Sequence, residues 1–347
     1  MHWLTKRKRN RIDMNKTIFY VFFALAVVGI ACSCASCKNT SKSTVMTDTV
    51  ALAGPTFCAD SAYAFTAKQC SFGERTMNSK AHDLCGEWIM AKFGEFGMKV
   101  ETQDAELKGW DGTKLKSRNI IARFRPEMTN RILLCAHWDC RPWADNDPDS
   151  TNWRKPVMGA NDGASGVAVM LEVARLLKND TALNVGVDFV CFDAEDYGTP
   201  QWKTAPSDGD TWALGAQYWA EHMPQNNNIK YGILLDMVGG EGARFFQEGV
   251  SKQYASDIVT KVWNTASQIG YGSFFPTQDG GMITDDHVPV NEKAGIPCID
   301  IIAYYPDCQQ SSFGPTWHTI NDTMEHIDKN VMKAVGQTLV QLLYTEE

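Results

Sequence analysis

Two spacings of apolar residues alternate along most of this chain, and they predict its elements in order. Over residues 79–97, Leu84, Trp88, Ile89 and Phe93 recur at helical spacing. Residues 100–107 and 119–124 read as two strands joined by a turn at Asp111-Gly112. Residues 132–136 form a short unbroken apolar run, the pattern of a strand buried on both faces. Residues 163–177 set Val167, Leu171, Ala174 and Leu177 on one helical face. Strands over 185–192, 232–235 and 298–302 then alternate with helices over 212–222, 254–269 and 331–343. This order predicts an α/β fold, a mostly parallel mixed central sheet with helices on both faces and the first two strands as an antiparallel edge. Ligands in such folds bind beyond the carboxyl ends of the strands.

Polar residues of unusual kind sit at those ends. The strand over 185–192 stops at Asp193-Ala194-Glu195-Asp196, where neighbouring carboxylates can divide their work. One can hold a metal while the other carries a proton. His137-Trp138-Asp139 follows the preceding strand and suits a histidine ligand whose tautomer is fixed by a carboxylate. Asp162, in Asn161-Asp162-Gly163-Ala164-Ser165-Gly166, precedes a helix and could be an ordinary N-cap, a ligand, or both. Asp236 ends a buried run and needs a partner. His318 lies in a polar loop after the last strand. Each alone is a weak signal, but the ordered set predicts a metal-dependent active site.

Length and charge bound the rest. The 347 residues, 44% of them hydrophobic, can bury one large core, and no repeat or low-complexity linker divides them. The net charge of −8 understates the acidity of the body, because Lys6, Arg7, Lys8, Arg9, Arg11 and Lys16 crowd the first residues. An acidic body without a basic stripe argues against nucleic acid as a partner. Residues 17–31 are uncharged and apolar, too short for a comfortable membrane span and laid out like a secretory signal. Small residues before Cys32 and Cys34 suggest cleavage and lipid attachment at one of them. We therefore read residues 1–31 as a signal peptide, 32–60 as a lipoprotein-like tether and 61–347 as the folded domain. The expected location is the cell envelope or periplasm, with the membrane touched only through the lipid. Of eleven cysteines, Cys135, Cys191 and Cys298 fall in apolar runs as small core residues, while Cys58, Cys70, Cys85, Cys140 and Cys308 could include disulfide partners in an exported protein.

The series His-x-Asp, Asn-Asp-Gly-Ala-Ser-Gly, Phe-Asp-Ala-Glu-Asp, Leu-Leu-Asp-Met and Trp-His-Thr resembles the M28 zinc-peptidase superfamily, and within it the glutaminyl-peptide cyclotransferases. The resemblance spans roughly residues 80–345. Trp317 before His318, the run Asp285-Asp286-His287-Val288-Pro289, and Trp202 in the loop after Asp196 favour the cyclotransferase branch. The resemblance implies one zinc ion held by Asp162, Asp196 and His318, with Glu195 as general acid and base. It also implies that Asp236 and Asp285 hydrogen-bond to each other and to Glu195, while Trp202 and Trp317 enclose the substrate. That substrate would be a peptide or protein with N-terminal glutamine. Asp196 stands where Glu is more frequent, and Asp300 where animal cyclases more often carry His. The rival within the superfamily is an aminopeptidase with two zinc ions, adding His137 and Asp236 as ligands with Asp162 bridging, and using Glu195 to activate water.

Overall fold

The computed structural model describes residues 51–204, 210–224 and 227–346. The predicted signal peptide, Cys32, Cys34 and the tether up to residue 50 lie outside the described residues. Six strands form one sheet in the order β1-β2-β4-β3-β5-β6. They are β1 (Lys99–Lys108), β2 (Lys114–Phe124), β3 (Arg131–His137), β4 (Gly186–Phe192), β5 (Ile229–Asp236) and β6 (Cys298–Ile302). β3 pairs in parallel with β4 and β5, and β5 with β6. β1 and β2 are the expected antiparallel edge, and β2 joins the parallel part through β4.

Alternation of side chains explains why the central runs are apolar throughout. Ile132, Leu134 and Ala136 of β3 enter the larger core, with Val187, Phe189 and Cys191 of β4. Leu133 and Cys135 enter the smaller core on the other face, with Val190 and Phe192. The larger core is covered by α1 (Ala59–Cys70), α2 (Lys80–Glu95), α3 (Ala164–Leu177), α5 (Gly249–Gln268) and α7 (Lys329–Tyr344). The smaller one lies under α4 (Leu214–Glu221) and α6 (His287–Glu292).

Helix α1 has no counterpart in the sequence reading, since its apolar stripe is faint and interrupted by Thr66 and Gln69, which are both buried. Phe57 is fully buried in the core and its N–H donates to the Gln337 side chain, so packing begins before residue 61. All eight cysteines among the described residues are free thiols.

Helix α5 starts five residues earlier than its apolar pattern suggests, because Glu248 caps it. The Glu248 carboxylate accepts the N–H groups of Val250 and Ser251 at 2.7 and 2.6 Å and that of Ile283 at 2.9 Å. Burial works against this carboxylate, but His287 and the backbone donors outweigh it and hold its pKa down to about 2, from 4.5. A depressed carboxylate stabilises the fold above its unfolded pKa and loses that contribution as pH falls through the folded value. The stability gap between wild type and Glu248→Gln should therefore be full above about pH 5 and close as pH falls toward 2, as measured by urea unfolding across that range.

Candidate active site

The sheet delivers its chemistry at one end. His137 closes β3, Asp236 closes β5, and Glu195-Asp196 follow β4. Asp162 precedes α3, and His318 lies in the loop after β6. Ligand atoms of Asp162, Asp196 and His318 all lie within 4.8 Å of one another, as do those of His137, Asp162 and Asp236. Asp162 is common to both sets. Its Oδ2 stands 3.6 Å from His318 Nε2, and its Oδ1 stands 3.0 Å from His137 Nε2. His318 Nε2 is 3.1 Å from Asp196 Oδ1, and His137 Nε2 is 3.2 Å from Asp236 Oδ1.

These residues fit a metal ion. Zinc–ligand bonds of about 2.0–2.1 Å in tetrahedral array place ligand atoms about 3.3 Å apart, close to the spacings of both sets. Both Asp196 oxygens are buried and accept no hydrogen bond, so a cation would satisfy them. Although Asp is one methylene shorter than Glu, Asp196 reaches His318 from this loop.

The turn carrying Glu195 and Asp196 is fixed peptide by peptide. The N–H of Asp193 donates to Asn119 Oδ1 at 3.0 Å, and that of Ala194 to Asp193 Oδ1 at 2.9 Å. Those of Glu195 and Asp196 donate to the two oxygens of Asp139 at 3.1 and 3.2 Å. The carbonyls of Ala194 and Glu195 accept from Leu214 and Ala213 at the start of α4. Such support is needed because Ala194 is held at φ +55°, and Met237 and His318 at the same site also have positive φ.

Asp139 therefore does different work from that expected of it. Its Oδ1 lies 3.6 Å from His137 Nδ1, too far for a hydrogen bond, and its carboxylate belongs to the Glu195 turn. Asp162 likewise does not cap α3. Gly163 occupies the N-cap with no side-chain bond, leaving the Asp162 carboxylate to the histidines. A Cβ at Gly163 would meet the Asp139 carbonyl at 2.7 Å, so glycine lets the helix start close to β3. Asp162 is steadied instead by Asp322, which accepts its N–H and that of Asn161 at 3.0 and 2.8 Å.

His318 is held by three groups. Its Nδ1 lies 3.4 Å from Asp145, which also pairs with Arg141 at 2.7 Å. Burial opposes the Asp145 charge, but His318 and Arg141 outweigh it and hold its pKa well below the ordinary value. The imidazole is stacked by Trp317 at 3.8 Å and by Trp212 at 6.0 Å between ring centroids.

A cavity of about 240 Å³ opens onto these groups. Its polar wall holds Asp162, Glu195, Asp236, Asp285 and His318, and Trp212, Trp317, Phe313, Ile283 and Ile302 supply apolar surface. Trp202, expected to enclose the substrate, is outside this lining. It stacks on Trp153 at 6.1 Å with the Arg154 guanidinium 4.1 Å above its ring. Trp212 takes the place in the wall, because Arg141 packs on it at 4.4 Å and Gly198 leaves room for its ring. Tyr197, Trp202 and Trp212 all lie in the loop after β4, and sequence alone offers no means of choosing among them.

Burial pushes several carboxyl groups at this cavity toward their neutral forms, Asp285 and Glu195 among them. Burial, then the charge of Asp236, raises Asp285 to about 7. Burial, then Asp196, lifts Glu195 well above its usual value. Asp300, fully buried behind them, is raised by burial and by Asp285 and Asp236. Burial and mutual repulsion thus favour a proton on Glu195, Asp285 and Asp300.

A family model described as Peptidase family M28 matches residues 119–343. The crystal structure of Bacteroides thetaiotaomicron glutaminyl cyclase bound to N-acetylhistamine is similar at 49% identity and a TM-score of 0.82, covering 85% of this chain and 100% of that one. The crystal structure of a leucine aminopeptidase precursor from Bacteroides thetaiotaomicron VPI-5482 is similar at 49% identity and a TM-score of 0.81, covering 86% and 100%. The aminopeptidase YwaD of Bacillus subtilis (strain 168) is 28% identical over 257 residues, 71% of this chain and 48% of the relative, so the chain spans about half the length of that protein.

Proposed function

The chain belongs to peptidase family M28, and from that premise we propose that it is a zinc-dependent glutaminyl-peptide cyclotransferase. It would convert N-terminal glutamine of peptides or proteins to pyroglutamate with release of ammonia. The observation that carries this reading is Asp285 in the cavity wall beside Asp236 and Glu195. Burial and the charge of Asp236 raise the Asp285 carboxyl to about 7, so that it can carry a proton next to Asp236 near neutral pH. A dinuclear aminopeptidase would instead require Asp236 as a ligand to a second metal.

In the reaction the substrate α-amine attacks its own γ-carbonyl carbon. The new C–N bond forms as the bond to the amide nitrogen breaks, and one proton passes from the amine to that nitrogen, which leaves as ammonia. The attack is intramolecular, so the protein supplies no nucleophile. Asp162, Asp196 and His318 would hold the zinc ion, which when bound supplies Lewis-acid polarisation of the γ-carbonyl oxygen. Glu195 takes the amine proton and returns it to the leaving nitrogen. The charge of Asp285 adds to burial and to Asp196 in raising the Glu195 carboxyl, while Asp236 lies 3.2 Å from His137, and the Trp212 and Trp317 rings help to exclude water from the cavity.

Ammonia release from a Gln-peptide, with Leu-p-nitroanilide hydrolysis measured in parallel, tests this function. Cyclisation with little hydrolysis is expected, and the reverse result would favour the aminopeptidase. Metal analysis should give about one tightly held zinc per chain, with the count unchanged in His137→Ala. Two stoichiometric ions, one of them lost in His137→Ala, would contradict the mononuclear reading.

Trp317→Phe separates the indole N–H from its bulk. The ring still packs on His318 and Phe313, so the fold should survive. Loss of one donor in a desolvated site should lower kcat/KM for N-terminal glutamine about tenfold to a hundredfold. Unchanged kinetics with a lowered Tm would make Trp317 structural.

Before it is folded, the chain would be exported through residues 1–31 and held in the cell envelope by lipid on Cys32 or Cys34. The apolar run ending at a cysteine cluster supports that location.

A further inference from the structure

Next to the Glu195 turn, and outside the lining of the cavity, a buried histidine closes a ring of contacts that the mechanism above does not use. His82 lies in the first turn of α2, only 2% exposed, with its N–H bonded to the Ser79 hydroxyl at 3.1 Å. Its Nε2 is 2.8 Å from Oδ1 of Asp193, which is fully buried. Oδ2 of Asp193 accepts the Arg118 N–H at 2.6 Å. The Arg118 carbonyl accepts the Trp138 indole N–H at 3.2 Å. The Trp138 ring then stacks on His82, with centroids 4.1 Å apart and planes 19° apart. A Cβ at Gly86 would come within 2.8 Å of the Trp138 ring, so a glycine one turn along α2 permits the approach.

This ring touches both loops that define the proton carrier. Trp138 sits between His137 and Asp139, and the Asp139 carboxylate holds the N–H groups of Glu195 and Asp196. Asp193 is two residues before Glu195 and bonds the N–H of Ala194, whose positive φ sets the direction in which the chain leaves the turn. We infer that His82 is a positioning residue for Glu195, acting through the Asp193 carboxylate to fix the strained Ala194 peptide. With the proton on Nε2, the imidazole donates to a buried carboxylate whose other bonds come from backbone donors. Removing it leaves the turn with its covalent path but without the lateral restraint on Asp193. A carboxylate displaced by about 1 Å from a reacting proton loses rate steeply, whereas Asp162 and His318, tied by Asp322 and Asp145 outside this turn, keep two of the three metal ligands in place.

The inference rests on Glu195 as the proton carrier, which the cyclotransferase and aminopeptidase readings share. The test compares His82→Leu, His82→Gln and Cys85→Ala on the full folded body. Cys85 is a fully buried core residue of the same helix without a bond to the turn, so its truncation controls for destabilisation of α2. Pyroglutamate formation by wild type is measured first and decides the cyclotransferase reading by itself. If wild type hydrolyses peptides instead, the same variants are compared on hydrolysis. His82→Leu should lower kcat about tenfold to a hundredfold with KM and zinc content little changed. His82→Gln, whose amide nitrogen reaches the place of Nε2, should recover most of that loss. Cys85→Ala should lower Tm without lowering kcat at temperatures well below the transition. The inference is overturned if His82→Leu loses stability but keeps kcat, if His82→Gln is as slow as His82→Leu, or if kcat falls only in step with zinc content.

Discussion

Glu195→Gln is expected to lower kcat by about 10²–10⁴-fold while zinc content stays at the wild-type level. The substitution keeps length and shape, and the turn is bonded through its backbone N–H groups to Asp139, so the fold has no reason to move. A neutral amide cannot accept the amine proton, and no other cavity carboxyl stands in the same place. Asp236, the last residue of β5, and Asp285, just before α6, reach the same cavity from other elements than the Glu195 turn. The measurement is kcat on a Gln-peptide together with metal analysis of the same sample. Near-normal turnover would remove Glu195 from the mechanism, and a parallel loss of zinc would make it a ligand.

Asp162→Ala should have an effect of similar size by a different route. Its two oxygens face the two histidines, His318 and His137, so one truncation opens each of the two metal sets that contain it. Loss of an outer partner of a metal ligand typically costs about 10- to 100-fold in metal affinity, and loss of the shared ligand should exceed that range. Equilibrium dialysis against zinc should show the weakened binding, with activity restored only at raised metal concentration. Tight binding retained in Asp162→Ala would shift the metal away from the proposed set.

The contrast between these two substitutions bears on what the sequence could disclose. The Glu-Asp pair was legible because β4 is an apolar run that stops at once in charge, and strand ends in parallel sheets face ligands. His137, Asp162, Asp236 and His318 were legible for the same reason, each following or ending a buried strand or opening a helix. The parallel sheet and its antiparallel edge followed from the alternation of apolar spacings. What periodicity could not reveal lies in long-range contacts. Proximity in sequence points Asp139 toward His137, whereas its carboxylate is bonded to peptides 56 and 57 residues away. Trp212 rather than Trp202 lines the cavity because Arg141, from a separate loop, packs on Trp143 and Trp212, a contact that no local pattern encodes. Helix α6 was hidden by its short length and Pro289, and α1 by polar residues that are buried against α3 and α7.

The central claim is cyclisation rather than hydrolysis, and one substrate can decide it. A peptide beginning Gln-Leu offers both reactions at the same N-terminus, and mass spectrometry of the products separates them without a coupled assay. The account predicts a peptide of unchanged sequence lighter by one ammonia, formed in wild type and nearly absent in Glu195→Gln. Free glutamine and a peptide shortened by one residue, formed at a comparable rate and lost in the same variant, would contradict it.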